Sequence, residues 1–259
     1  MGFSSMYDSL AGKRVIITGG SSGIGFATAK RFVDEGSEVV IFARNQENLN
    51  KTREMIPDLA GSICVDVGRD NDVAGAFKKV DEMIGGIDIL ISNAGISYRN
   101  GFLDIKYDQW KEVMRVNLDG MFLCAQEAIF RMKKQKSGVV LFTASTNGQY
   151  GYPFYADYNA SKAGVIMLAK TLALEFAPWI RVNAVCPGYV ATPMQKAEYT
   201  SEMLARVNAK IPLNRHAEPE EIAGLFAFLA SSEGRYFTGQ AISMDGGESI
   251  GNMIEADSD

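Results

Sequence analysis

Few residues in this chain are suited to metal or disulfide chemistry. His216 is the only histidine, which excludes a mechanism or metal site that needs two imidazole groups, and we predict no metal. Cys64, Cys124 and Cys186 are widely spaced and form no Cys-x-x-Cys pair, so neither a disulfide framework nor a zinc site is indicated. This cysteine usage fits a reducing compartment, and we expect a cytoplasmic protein.

Long apolar runs and clusters of positive charge are also missing. No apolar run approaches the ~18 to 20 residues that a membrane-spanning helix requires, and the N-terminal residues contain no basic region followed by an apolar core. We therefore expect no membrane partner. Lysines and arginines are scattered and the net charge is -5, so nothing indicates a nucleic-acid partner. A small molecule is the expected partner.

The chain contains enough apolar residues for a large core. With 259 residues, 47% of them hydrophobic, it suits one large α/β domain. Short β-branched runs alternate with longer helical patterns, as in repeated βαβ units. We expect strands at residues 14–18, 38–43, 62–65, 87–92, 139–144, 180–185 and 241–244. Helices are expected near residues 24–35, 46–55, 71–84, 107–134, 156–176 and 219–230. The prediction is a single doubly wound Rossmann-type α/β domain over residues 1–259, with a seven-stranded, mostly parallel sheet.

A glycine-rich turn, TGGSSGIG, joins the first predicted strand to the first helix at residues 18–25. A strand, such a turn and a helix N-terminus together form a phosphate cradle, because free amides and the positive end of the helix dipole meet a pyrophosphate. The glycine spacing differs from Gly-x-Gly-x-x-Gly, and an ordinary tight turn is the alternative. The residues predicted to bind a dinucleotide here are Gly19, Ser21, Ser22, Gly23, Ile24 and Gly25.

The stretch DYNASK places Tyr158 and Lys162 four residues apart. On a helix these side chains share one face, and a cation beside a phenol stabilises the phenolate. A second positive charge, such as an oxidised nicotinamide ring, would strengthen this effect. The alternative is that the two side chains merely cover the surface of a helix. The pair therefore indicates catalysis only if a cofactor site exists.

Five motifs follow one another along the chain. They are TGGSSGIG, SNAG at residues 92–95, Ser145, YNASK and PGYVAT at residues 187–192, and Ser145 precedes Tyr158 by thirteen residues. In this order they resemble the motifs of the classical short-chain dehydrogenase/reductase family. Each motif alone is weak, but the ordered set covers nearly the whole chain. The resemblance implies an NAD(P)-dependent oxidoreductase that transfers a hydride between a nicotinamide cofactor and a ketone or secondary alcohol. It also implies a homotetramer, with the helices near residues 107–134 and 156–176 at the interface.

The resemblance implies that Asn117, Ser145, Tyr158 and Lys162 form the catalytic group. Ser145 follows the fifth predicted strand, where open α/β sheets keep their ligands. Its hydroxyl can donate to a carbonyl oxygen while Tyr158 protonates that oxygen. Asn117 would hold a water that links Lys162 to solvent, and the alternative is a side chain that caps a bent helix.

The same resemblance implies contacts with the rest of the coenzyme. Asp66 would accept a hydrogen bond from the adenine amino group, and Val67 would contribute its backbone; a helix cap or turn is the alternative for Asp66. The family commonly has asparagine where Ser92 stands. Contacts with the adenine ribose and the nicotinamide are implied for Asn93, Ala94, Gly95, Tyr158, Lys162, Pro187, Gly188, Val190 and Thr192.

The end of the second predicted strand, VVIFARN, bears on the choice of coenzyme. An acidic residue there binds the ribose hydroxyls and repels a 2′-phosphate, whereas an arginine accommodates the phosphate. Ala43 stands where NAD-preferring relatives have Asp, and Arg44 follows. NADP(H) is therefore predicted, with NAD(H) as the alternative, because Arg44 could be simply solvated and Ser21 and Ser22 supply no second basic group.

The remaining predictions concern the substrate. Residues of about 10–185 are expected to form the dinucleotide-binding and catalytic core, and about 188–218 a polar, weakly helical flap over the substrate. Aromatic walls suit an apolar or ring-shaped substrate, although core packing or subunit contact is an equal alternative for Tyr150, Tyr152, Phe154, Tyr155, Tyr189 and Met194. Packing roles are expected for Met121, Met132, Met167 and the thiol of Cys186, and a surface loop for His216.

Two other functions remain open from the sequence. A non-catalytic dinucleotide sensor would need TGGSSGIG but none of the four catalytic residues, so their joint presence argues against it. A lyase or epimerase on the same scaffold would use the tyrosine and lysine with a tightly held cofactor. Such relatives generally carry a larger C-terminal lobe, for which little length is left here.

Overall fold

The strands form one sheet in which every pairing is parallel. The computed structural model describes residues 6–198 and 200–250. The strands are β1 Arg14–Thr18, β2 Glu38–Ala43, β3 Gly61–Cys64, β4 Ile89–Ser92, β5 Gly138–Thr143, β6 Ile180–Pro187 and β7 Ala241–Met244. Their order is β3-β2-β1-β4-β5-β6-β7. The predicted seven-stranded Rossmann-type sheet is confirmed, and it is parallel throughout.

Helices cover both faces of this sheet, which explains why its strands are nearly continuous apolar runs. They are α1 Gly23–Asp34, α2 Gln46–Met55, α3 Asp70–Ile84, α4 Tyr107–Met114, α5 Gly120–Gln135, α6 Ala156–Phe176, α7 Pro193–Glu198, α8 Ser201–Asn208 and α9 Pro219–Ala230. The single helix predicted over residues 107–134 is two helices, α4 and α5, joined by a π-helical turn at Arg115–Asp119. Such turns often occur at functional sites.

The core consists of two apolar layers, one on each face of the sheet. Along β1, Ile16 packs in one layer while Val15 and Ile17 pack in the other, because successive side chains of a strand point to opposite faces. Met121 and Met132 are buried as predicted. The packing role predicted for Met167 is wrong, because 59% of this residue is exposed on α6.

The strand order reverses between β1 and β4, which creates a crevice at the carboxyl ends of these strands. The segment predicted as a flap contains two short helices, α7 and α8. The boundaries of core and flap stay predictions. No helix in the described part of the chain is long and apolar enough to cross a membrane.

Candidate active site

The turn after β1 requires glycine at three positions. Gly19 and Gly23 adopt positive φ angles of 67° and 52°, a region that side chains disfavour. At Gly25, an added Cβ would lie 2.2 Å from the carbonyl oxygen of Gly19. Because α1 begins at Gly23, its first amides lack partners within the helix and are available to an anion. The turn therefore has the shape and the donors of a phosphate cradle.

Hydrogen bonds fasten this turn to the ends of β4 and β5. The Thr18 hydroxyl accepts from the backbone N–H groups of Asn93 and Ala94, each at 2.9 Å. The Asn93 side chain donates to the Thr18 carbonyl at 3.1 Å and accepts from the Thr143 hydroxyl at 3.0 Å. Three adjacent strands thus share one polar network. The sequence analysis did not single out Thr18 or Thr143, because their partners are distant in the chain.

Three cavities lie in series along this edge of the sheet. The first cavity, at the end of β2, is lined by Arg44, Ser21 and Val67 among others. It shares with the middle cavity Gly19, Ser22, Ala94 and Gly95. The middle cavity shares with the third Ile24, Thr143, Tyr158, Thr192 and Met194. Together the three cavities form an elongated crevice that passes the phosphate cradle, as an extended dinucleotide would require.

Lys162 is buried at the middle cavity, with 2% of its surface exposed. Its ammonium donates to the Thr143 carbonyl at 2.7 Å and lies 5.5 Å from the centre of the Tyr158 ring. Burial lowers the pKa of Lys162 to about 8, because the charged form loses hydration. Tyr158 and Lys162 therefore lie together inside the crevice, as predicted. The alternative that they merely cover the surface of a helix is excluded.

Ser145 lies just past β5 and lines the third cavity together with Tyr158. Its hydroxyl accepts from the backbone N–H of Asn147 at 3.1 Å and lies 3.3 Å from the Asn147 side-chain oxygen. The Asn147 amide in turn donates to the side-chain oxygen of Asn159 at 2.7 Å. The sequence analysis missed Asn147, although its position two residues after Ser145 is a common turn signal.

Asn117 occupies the π-helical turn and is fully buried. Its side-chain oxygen accepts from the Ile96 N–H at 2.8 Å, and its amide donates to the Ile96 carbonyl at 2.9 Å and to Ser161 at 3.2 Å. The side chain therefore ties the turn to the segment after β4 and to α6. Its role in a water relay stays a prediction.

Beside the first cavity, one arginine pairs with two carboxylates. Asp66 accepts from Arg115 at 3.0 Å and from the Gly68 N–H at 3.1 Å. Arg115 also donates twice to Glu112, at 2.8 Å each. Asp66 does not line the first cavity, whereas Val67 does. The sequence analysis missed Glu112 and Arg115, whose spacing of three residues on a helix was an available signal.

The PGYVAT segment lines the third cavity through Pro187, Gly188, Val190 and Thr192. An added Cβ at Gly23 would lie 3.2 Å from the Thr192 methyl carbon, so this segment closes directly over the phosphate cradle. Cys186, just before it, is a buried thiol as predicted, and burial raises its pKa to about 12. An ordinary structural thiol is therefore present beside the site.

Aromatic side chains form much of the third cavity. Tyr152, Tyr155, Tyr189 and Met194 line it, whereas Tyr150 and Phe154 are about half exposed outside it. The Tyr152 hydroxyl donates to Glu248 at 2.8 Å.

His216 packs edge-on against the Tyr189 ring and pairs with Asn208 of α8. It lies in a loop, as predicted, and is partly buried there. Its ring joins the segment predicted as a flap to the wall of the third cavity.

Known proteins of similar sequence identify the family of this chain. Residues 19–249 match a family model described as Enoyl-(Acyl carrier protein) reductase. The 3-oxoacyl-[acyl-carrier-protein] reductase FabG of Thermotoga maritima is 40% identical over 242 residues, or 92% of this chain and 98% of the relative. The 3beta-hydroxysteroid dehydrogenase 1 of Eggerthella lenta is 37% identical over 252 residues, or 95% and 97%. The chain belongs to the classical short-chain dehydrogenase/reductase family.

A solved structure supports the same family at the level of the fold. It is a variant of actinorhodin polyketide ketoreductase with NADPH, 31% identical with a TM-score of 0.87, and the match covers 92% of this chain and 97% of that one. This short-chain dehydrogenase/reductase is accordingly an oxidoreductase that acts on CH–OH and C=O groups.

A methyl group at Gly25 is expected to distort the phosphate cradle, since it would meet the Gly19 backbone. Gly25→Ala should weaken coenzyme binding at least ~10-fold and lower the free energy of unfolding by ~1–3 kcal/mol. Gly75→Ala in α3 is the control, because nothing lies within 4 Å of its added Cβ. Fluorescence titration with NADPH and NADH measures the affinities. Unchanged affinity in Gly25→Ala would contradict the role of this turn.

The buried Lys162 should make stability depend on pH. Its pKa falls from 10.5 to about 8 on folding, so the unfolded chain binds more protons between these values and stability rises with pH. Relative to Lys162→Met, the wild-type free energy of unfolding should rise on the order of 1 kcal/mol per pH unit across this window. Urea unfolding measures this difference. Lys170→Met, exposed on the same helix, is the control for the replacement of a lysine by methionine. A flat difference for Lys162 would refute the shift.

Proposed function

We propose that this enzyme transfers a hydride between a nicotinamide coenzyme and a ketone or secondary alcohol, with Tyr158 as the general acid and base. The observation that carries the proposal is the buried Lys162 ammonium 5.5 Å from the Tyr158 ring, at the point where the middle and third cavities meet. Ser145 lines the third cavity with Tyr158, so a carbonyl group could contact both hydroxyls. This arrangement needs a dinucleotide in one cavity and a substrate in the next.

The protein's part of the reaction is to orient the carbonyl group and to move one proton. The bound coenzyme supplies or accepts the hydride. In reduction, Ser145 donates a hydrogen bond to the carbonyl oxygen, and Tyr158 gives that oxygen a proton. In oxidation, the Tyr158 phenolate removes the proton from the alcohol. The backbone N–H of Asn147 donates to the Ser145 oxygen and so holds it in place for either direction, while the Ser145 proton can turn from the Asn147 side-chain oxygen to the substrate.

Lys162 serves this step through its charge and position. The Thr143 carbonyl fixes the ammonium, and the low polarity around it strengthens its interaction with the neighbouring phenol. The same ammonium is close enough to the middle cavity to bind the nicotinamide ribose. Asn117 would connect Lys162 to solvent through a water, and its position in the turn beside Ile96 is compatible with that role.

NADP(H) is the proposed coenzyme, with NAD(H) as the alternative. Arg44 lines the first cavity, about half of its side chain is exposed, and the preceding Ala43 offers no carboxylate to repel a phosphate. A guanidinium can form paired hydrogen bonds with the oxygens of a 2′-phosphate, a group that NAD lacks. The related ketoreductase structure contains NADPH, which supports the same choice.

A neutral carbonyl compound is the proposed substrate. No charged side chain lines the third cavity in the described part of the chain, and its aromatic walls suit an apolar or ring-shaped molecule. We further propose a cytoplasmic homotetramer. Its interface would use α5 and α6, which expose the apolar side chains of Phe122, Phe130, Met167 and Leu174.

Tyr158→Phe should lower turnover at least ~100-fold while leaving the dissociation constant for the coenzyme nearly unchanged, because only proton transfer is lost. Turnover is followed by coenzyme absorbance with a panel of cyclic ketones, steroids, sugars, acyl thioesters and their alcohols. Tyr150→Phe, outside the cavity lining, is the matched control and should keep wild-type turnover. Wild-type turnover in Tyr158→Phe would contradict this mechanism.

Arg44→Ala should remove most of the preference for NADPH over NADH. We expect the wild type to bind NADPH at least ~10-fold more tightly, a difference of about 1.4 kcal/mol, because only NADPH has the 2′-phosphate. Dissociation constants are measured by fluorescence titration. Arg53→Ala, exposed near the end of α2, controls for the general loss of one positive charge. Equal wild-type affinities, or tighter binding of NADH, would show that Arg44 does not select the coenzyme.

A further inference from the structure

Arg44, at the first cavity, is the first of five side chains whose charges alternate in sign. Its guanidinium lies 3.8 Å from the Glu112 carboxylate of α4. Glu112 is held by Arg115, and Arg115 also holds Asp66, which follows β3. Arg69 lies 3.6 Å from Asp66 at the far end. Of these five charged residues, Arg44 alone lines the first cavity.

The contacts of Glu112 are unequal. Arg115 makes two hydrogen bonds of 2.8 Å with its carboxylate, whereas Arg44 approaches to 3.8 Å without a hydrogen bond. Arg44 is therefore attracted to Glu112 but not fixed by it. The hydrogen bonds from Arg115 also hold the pKa of the Glu112 carboxyl below its usual range, so this negative charge persists throughout the physiological range.

The charges of these five residues nearly cancel, so they leave little net attraction for an anion. Three guanidinium groups and two carboxylates sum to one positive charge. Glu112 is the carboxylate nearest to the cavity-lining guanidinium. A phosphate that binds Arg44 must therefore compete with Glu112 for the same group and approach a second negative charge as well.

We infer that Glu112 is a specificity-determining residue that weakens recognition of the 2′-phosphate and so sets how strongly the enzyme prefers NADP(H). Glu112 acts on the coenzyme through Arg44 and through its own charge, and it has no contact with the reacting atoms. The inference rests on the proposed binding of the phosphate by Arg44. NADH lacks the phosphate, so its affinity should depend little on Glu112.

Glu112→Gln tests this inference because it removes the charge and keeps the size of the side chain. We expect the variant to bind NADPH at least ~3-fold more tightly, with the gain reduced at high salt, since partly exposed charges are screened. The affinity for NADH should change less than ~2-fold, because that coenzyme carries no charge at this position. Dissociation constants are measured by fluorescence titration at low and high salt.

Glu127→Gln is the matched control. Glu127 also pairs with an arginine of its own helix, Arg131 of α5, and does not line the three cavities. It should leave both affinities unchanged. Thermal unfolding of each variant verifies the fold. The ratio of the dissociation constants for NADPH and NADH separates an electrostatic effect from a structural one, because a distorted site would weaken the binding of both coenzymes.

A double variant shows whether Glu112 acts through Arg44. If it does, Glu112→Gln should improve NADPH binding less in the Arg44→Ala background than in the wild type. An unchanged or weaker NADPH affinity in Glu112→Gln, or an equal gain for NADH, would overturn the inference. If the wild type binds NADPH no more tightly than NADH, the proposal that NADP(H) is the coenzyme is contradicted instead. That outcome is distinguishable because it is measured in the wild type, without any substitution at Glu112.

Discussion

A buried lysine imposes the main constraint on this active site. Burying the ammonium of Lys162 costs free energy, which the hydrogen bond to the Thr143 carbonyl partly offsets. That carbonyl must lie at the end of β5, and Lys162 must lie one turn of α6 beyond Tyr158. The position of the catalytic pair therefore depends on the packing of α6 against the edge of the sheet. Small displacements there would alter both the charge of Lys162 and its distance from the phenol.

The same constraint explains why so many polar side chains meet at this edge. Thr143 uses its carbonyl for Lys162 and its hydroxyl for Asn93, whose side chain in turn donates to Thr18 at the end of β1. One strand end thus connects the catalytic lysine to the phosphate cradle. Asn117 adds a second connection, from the π-helical turn to α6. The polar network holds the middle cavity and the glycine turn in a fixed relation, as the proposed hydride transfer requires.

Sequence reasoning predicted the parts of this site that depend on local order. The strands, the glycine turn and the Tyr158–Lys162 pair could be predicted because each depends on the pattern of a few neighbouring residues. It did not predict the Asn93–Thr143 contact or the pairing of Asp66 with Arg115, because those partners meet only after the chain has folded. The π-helical turn was also missed, since one extra residue in a turn hardly disturbs a helical pattern. Met167 was misjudged because a helix that packs on several sides gives a weak pattern of burial.

The two ends of the crevice work in different electrostatic environments. At the catalytic end, Lys162 is buried and its interactions are strong and insensitive to salt. At the first cavity, Arg44 and Glu112 are partly exposed, with 52% and 37% of their side chains accessible, so their interactions are weak and screened. Under the proposed mechanism, a change of charge at the first cavity would therefore shift the choice of coenzyme by a few fold without disturbing proton transfer at Tyr158. This separation allows coenzyme preference and reaction chemistry to vary independently on one scaffold.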